Sequence, residues 1–168
     1  ADREAERERL AGDLAAGQKV FLISPRRYGK SSLVRDVLRG LARQKILTVE
    51  VTVAASSSYL GFLESYARAL VAADTPAGRL RRWTADLLGA VRPELRFDAP
   101  SPAEGPAGPA NARHYDGGAR FALSFPSVRT ARDTARLAAE VFALPGKIAA
   151  ARRQRLAIAL DEFQAGTS

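Results

Sequence analysis

The 168-residue chain has no cysteine, no methionine and a single histidine, and only four of its 26 basic residues are lysine. Without thiols it can form neither disulfides nor thiolate metal sites, which fits a reducing, cytoplasmic setting. The one histidine, His114, stands in a stretch rich in Gly, Pro and Asn with no ligand partner near it, and reads as a surface loop side chain. There is no G-x-S-x-G elbow, no G-x-G-x-x-G turn and no histidine pair. Their absence argues against a serine hydrolase, a dinucleotide-binding turn and a helical zinc site. No apolar run approaches the roughly 18–20 residues of a membrane span. The charged start, Asp2-Arg3-Glu4-Ala5-Glu6-Arg7-Glu8-Arg9, lacks the apolar centre of a secretory signal. No membrane association is expected.

Acidic residues are also few, 18 against 26 basic ones, for a net charge of +8 and a pI near 10.6. Such a balance invites a nucleic-acid reading. It is discounted here, because an arginine- and alanine-rich composition follows from a GC-rich genome whatever the function. In the first helix arginines alternate with acids, as on a solvated face. One cluster is less bland: Arg79, Arg81, Arg82, Arg92 and Arg96 surround Trp83, against only Asp86 and Glu94. Leu80, Trp83, Leu87 and Val91 share a helical face, so Trp83 reads as core, and nucleic-acid binding by the Arg79–Arg96 region stays open. With 46% apolar residues, the chain can bury one substantial core and is expected to form one domain.

What is present is concentrated in two stretches. The first runs from Val20 to Val34: an apolar run, then Ser24-Pro25-Arg26-Arg27-Tyr28-Gly29-Lys30-Ser31-Ser32, then Leu33, Val34, Val37, Leu38 and Leu41 at helical spacing. This is the layout of a phosphate-binding loop, G-x-x-x-x-G-K-[ST], with Ser24 in place of the first glycine. Backbone N–H groups at the helix start, reinforced by its dipole, can cradle phosphate oxygens. Lys30 would add a point charge on the β- and γ-phosphates, and the Ser31 hydroxyl would enter a Mg²⁺ shell. Gly29 allows a sharp turn where a Cβ would clash.

The second stretch, Leu156-Ala157-Ile158-Ala159-Leu160-Asp161-Glu162, is a buried-strand run that ends in two acids, the form of a Walker B element. Asp161 would hold Mg²⁺, directly or through water, and Glu162 would orient and deprotonate an attacking water.

Together these stretches resemble the archaeal-type P-loop ATPases of the AAA+/STAND group. Loops of that family read close to I-S-P-R-R-Y-G-K-[ST]-S-L, matched here from Ile23 to Leu33, and its Walker B reads close to D-E-F-Q, matched by Asp161 to Gln164. The Ser24 departure therefore agrees with the family. Asp2-Arg3-Glu4-Ala5-Glu6 followed by Leu10 is similar to its D-R-E-x-E lead-in helix. The resemblance implies ATP binding and hydrolysis with Mg²⁺, Ser24 to Ser32 around the nucleotide, Ser31 and Asp161 at the metal, and Lys30 and Glu162 in catalysis. It also implies a longer domain, with a sensor and an arginine finger after Ser168 and a C-terminal segment for a protein or DNA partner. A homo-oligomer stays open.

The expected organisation follows from periodicity. Residues 1–18 hold a lead-in helix with Leu10 and Leu14 inward. Residues 19–93 form the Walker A core: a strand over 19–23, a helix to about 43, a strand over Ile46 to Val53, a helix capped by Ser56-Ser57-Ser58, and another helix over 79–91. Residues 94–126 read as an inserted β-hairpin, with Glu94–Phe97 and Arg120–Phe125 as strands and Ala99–Gly118 as a flexible loop. Residues 127–168 carry a helix from about 130, broken or kinked at Pro145-Gly146, and the Walker B strand. The fold class is α/β, a three-layer P-loop sandwich with a mainly parallel sheet, incomplete at its C-terminus.

Two function classes follow: an ATP-hydrolysing motor or switch, and a nucleotide-gated regulatory or DNA-binding switch with slow turnover. A small-molecule kinase is a weaker third, opposed by Glu162 and the Arg26-Arg27-Tyr28 loop.

Overall fold

The computed structural model describes residues 3–20, 22, 29–53, 56, 58–74, 93–97 and 121–161. In chain order the elements are α1 (Arg3–Ala15), α2 (Lys30–Arg43), β1 (Leu47–Thr52), α3 (Tyr59–Asp74), β2 (Glu94–Phe97), β3 (Phe121–Ser124), α4 (Ala131–Arg152) and β4 (Leu156–Asp161). The chain is thus mixed α/β, and it divides into two compact units, residues 1–62 with 145–168, and residues 63–144.

In the first unit, β1 and β4 pair in parallel from Leu47 opposite Leu156 to Thr52 opposite Asp161. Parallel strands require a long crossover, supplied by the intervening chain. Leu10 of α1, Val37, Leu38 and Leu41 of α2 and Ala157 of β4 form a buried cluster, with Leu14, Leu33, Val34 and Ile46 packed on it. Each buried Leu or Val contributes roughly 1.5–3 kcal/mol by leaving water. Arg35 of α2 adds an ion pair to Glu50 of β1, 3.0 Å from Nε to Oε1.

The helix ends in this unit follow one device. After α1, the Gly17 N–H donates to the Leu14 carbonyl and the Gln18 N–H to the Asp13 carbonyl. That pair of bonds needs a left-handed residue between them, and Gly17 supplies it at φ 80°. After α2 the same bonds run from Lys45 to Ala42 and from Ile46 to Leu41, and after α4 from Arg153 to Ala150 and from Gln154 to Ala149. Here the left-handed residues are Lys45, φ 61°, and Arg153, φ 52°.

In the second unit, β2 and β3 pair antiparallel, with Glu94 opposite Ser124 and Phe97 opposite Phe121, so the expected hairpin strands are present. Leu63, Leu70, Val71, Phe125, Leu137, Val141 and Leu144 are fully buried. Tyr66 packs on Phe142 with ring centroids 5.7 Å apart, and burial raises its phenol pKa. The Phe125 N–H donates to Glu64 Oε1 at 3.0 Å.

Three expectations change. Lys19, Val20 and Leu22 belong to no strand, and Val20 and Leu22 are 37% and 41% exposed. Among the described residues no third strand joins β1 and β4, and an apolar run without a hydrogen-bonded neighbour cannot form a ladder. Of the break or kink expected at Pro145, the break is absent: α4 runs on to Arg152. A proline removes one backbone bond, and buried Leu144 and Ile148 on either side of it hold the helix in place. Finally, the expected cap of α3 narrows: Ser58 Oγ accepts from the Gly61 N–H at 3.0 Å, Ser56 Oγ is buried without a hydrogen-bond partner among the described residues, and Ser57 lies outside them. The helix expected over 79–91 and the loop over Ala99–Gly118 lie outside the described residues.

Candidate functional site

The carboxyl end of the parallel pair is where the two sequence stretches meet. Gly29 begins α2 in the left-handed conformation, φ 67° and ψ 29°, and no side-chain oxygen among the described residues caps that helix. Lys30, Ser31 and Ser32 form its first turn, with Lys30 and Ser31 half-buried and Ser32 exposed. Asp161 is the last residue of β4, opposite Thr52.

The deciding contact joins residues 130 positions apart. The Ser31 hydroxyl donates to Asp161 Oδ2 at 2.7 Å, part-buried. A hydroxyl bond to an ionised carboxylate is among the stronger hydrogen bonds available to a protein. The helix start thereby sets one hydroxyl and one carboxylate side by side, both oxygen donors. That donor set suits a hard divalent cation, and Mg²⁺ in particular, which keeps most of its waters and takes one or two protein oxygens. The described residues contain no cluster of three or more His, Cys, Asp or Glu.

Sequence reasoning missed one member of this neighbourhood. A Cβ built on Gly29 would lie 2.7 and 3.0 Å from the two terminal guanidinium nitrogens of Arg3. Periodicity could not have marked Arg3, which shares an arginine-rich helix with Arg7 and Arg9. Only the packing of α1 on α2 brings it to the loop. Arg3, Arg7, Ser32 and Asp36 also line a cavity of about 200 Å³ between the starts of the two helices.

Of the predicted residues, Gly29, Lys30, Ser31 and Asp161 come together at this end of the sheet, with Ser32 beside them on the first turn of α2. Ser24, Pro25, Arg26, Arg27, Tyr28 and Glu162 lie outside the described residues. So does most of the arginine cluster around Trp83; its described member Arg96 lies 4.0 Å from Glu94 on an exposed strand. No helix among the described residues is long and apolar enough to cross a membrane.

Comparison with protein-family models, curated proteins and solved structures finds no match to this chain.

Proposed function

We propose that the chain binds ATP and hydrolyses it with Mg²⁺, as a P-loop ATPase whose loop is Ser24 to Ser32 and whose Walker B acids are Asp161 and Glu162. The observation that carries this reading is the Ser31–Asp161 hydrogen bond at 2.7 Å. A decorative Gly-Lys-Ser and an incidental strand-ending Asp-Glu have no reason to meet. In a phosphate-binding site they must, because hydroxyl and carboxylate serve the same ion.

The roles follow from chemistry. Gly29 lets the backbone pass close to phosphate oxygens, and the uncapped helix start offers a positive dipole end to them. Lys30 adds a charge-assisted contact to the β- and γ-phosphates. Ser31 and Asp161 would hold Mg²⁺, which when bound supplies charge neutralisation on those phosphates. Glu162 takes a proton from the water whose oxygen attacks the γ-phosphorus as the bond to the β,γ-bridging oxygen breaks.

Titration of a fluorescent ATP analogue into the wild type and Lys30→Ala tests the reading. Losing a charge-assisted contact of about 1.5–3 kcal/mol weakens binding about ten- to a hundredfold. Equal affinities would overturn the phosphate-loop assignment.

A further inference from the structure

Glu50 of β1 is a carboxylate that the ATPase reading leaves unused. Its side chain is only 15% exposed, and Arg35 Nε donates to both of its oxygens, at 3.0 and 3.3 Å. The pairs Arg7–Glu4, Arg39–Asp36 and Arg96–Glu94 each stay within one element, with side chains 48% to 80% exposed. Pairs of that kind contribute little. Arg35–Glu50 differs from them twice over: it joins α2 to the sheet, and its acid lies mostly out of water.

The ladder shows which face Glu50 serves. Ala157 and Ala159 of β4 pack with the apolar side of α2, and Asp161 accepts from Ser31. Their register partners on β1 are Thr48, Glu50 and Thr52. Side chains alternate along a strand, so these three turn toward α2, and the buried Val49 and Val51 turn to the other side.

An apolar side chain of similar volume at position 50 would hold α2 at least as firmly. What apolar burial lacks is direction. Two directed contacts supply it. Ser31 and Arg35 stand four residues apart, about 6 Å along α2. Glu50 comes two residues before Thr52, the partner of Asp161, about 6.6 Å along the sheet. The steps match, so both contacts close together. A slip of α2 by one residue, about 1.5 Å and about 100° of rotation, breaks both.

We infer that Glu50 is a positioning residue for the metal site: through Arg35 it fixes the register of α2 that holds Ser31 on Asp161. The inference rests on the ATPase reading and extends it to a side chain outside both motifs. Glu50 itself meets neither nucleotide nor metal.

The test measures the affinity of a fluorescent ATP analogue with Mg²⁺ and again with EDTA, in wild type, Glu50→Leu and Glu50→Gln. The ratio of the two affinities is the gain due to the metal. Leucine keeps the volume and removes both acceptors, and Arg35, itself 51% exposed, is not left as a buried charge. Glutamine keeps one acceptor oxygen for Arg35 Nε. Glu50→Leu should lose about tenfold of the metal gain, the size of one hydrogen bond to a charged group, with its affinity in EDTA unchanged. Glu50→Gln should keep most of the gain. Arg39→Gln, which breaks an exposed pair on the same helix, should keep all of it. Each protein is measured well below its own melting temperature, where a merely structural loss does not move the ratio. A wild-type metal gain in Glu50→Leu would overturn the inference alone, whatever its Tm. An equal loss in Arg39→Gln would overturn it too. No metal gain in the wild type would overturn the ATPase reading, and this inference with it.

Discussion

Two helices of this chain begin in opposite ways. At the start of α4, Thr130 and Asp133 close a reciprocal box: the Asp133 N–H donates to Thr130 Oγ1 at 3.1 Å, and the Thr130 N–H donates to Asp133 Oδ2 at 3.0 Å. The Thr130 hydroxyl and the Arg129 N–H donate to the same carboxylate oxygen. At the start of α2 there is a left-handed glycine and, among the described residues, no side-chain cap. Ser31, in the first turn of α2, reaches across the fold to Asp161. A helix start that serves only the fold satisfies its orphan donors from its own sequence. The start of α2 instead ties its first turn to the end of β4, through a carboxylate 130 residues away.

The largest effect should come from chemistry at the open start. Glu162→Gln preserves shape and removes the base. It should bind nucleotide as wild type does and lose hydrolysis by roughly 10²–10⁴-fold. Asp161→Asn should differ in kind, weakening Mg²⁺-dependent binding as well, because it alters the partner of Ser31. Steady-state turnover and analogue titration, run side by side, separate the two. If Glu162→Gln turns over at the wild-type rate, the slow nucleotide switch becomes the better reading. Lys30→Ala comes next, with its ten- to hundredfold loss of affinity. Asp133→Asn, at the closed start, should leave nucleotide affinity unchanged, and a matching loss there would dissolve the contrast.

Much of this contrast was legible in the residues. Val37, Leu38 and Leu41 repeat at helical spacing, and they are the buried face of α2. The alternation in Glu94–Phe97 and Arg120–Phe125 pointed to pairing, and the strands Glu94–Phe97 and Phe121–Ser124 do pair. Local pattern sufficed because period and burial are local properties. It failed where the outcome depends on distant neighbours. The run before the loop reads as a strand, yet Lys19, Val20 and Leu22 join no ladder. Pro145 reads as a break or a kink, and α4 continues through it to Arg152. Ser56 and Ser58 are equivalent as cap candidates in sequence, and only geometry chooses Ser58. Within the site, Ser31 and Asp161 were each readable as half of a motif. Their contact, and the approach of Arg3 to Gly29, are properties of the fold.

The two ends of α2 allow a finer test. Gly29 and Lys45 have nearly the same backbone, φ 67° and φ 61°, but opposite relations to a side chain. Gly29→Ala would place a Cβ 2.7 Å from the Arg3 guanidinium. That flexible tip can move aside, so the backbone strain of about 1–2 kcal/mol dominates. It should lower Tm by about 2–8 °C. Lys45→Gly relieves the same strain and forfeits about 0.5–1 kcal/mol of chain entropy, so a rise of a few degrees is expected. Calorimetric Tm values that move in the same direction would show that the left-handed conformation is not what distinguishes these positions.

The smallest effect belongs to the closed start, and its sign depends on pH. The hydroxyl of Thr130, then the backbone N–H groups of Thr130 and Arg129, hold the Asp133 pKa below its ordinary 3.8 in the folded chain. Because the folded value lies below the unfolded one, the unfolded chain binds the proton more readily as acid is added. The cap therefore stabilises fully above about pH 5, and that stabilisation fades as pH falls through 3.8 and on through the lower folded value. Asparagine can accept the same N–H bonds but carries no charge. Asp133→Asn should consequently melt slightly below wild type at pH 7, and the gap should narrow as pH falls below 3.8. Solvent exposure of the carboxylate keeps the gap small, and added salt should narrow it further. A gap that stays constant from pH 7 to pH 3 would mean that the box at α4 works through shape alone, with no contribution from the charge on Asp133.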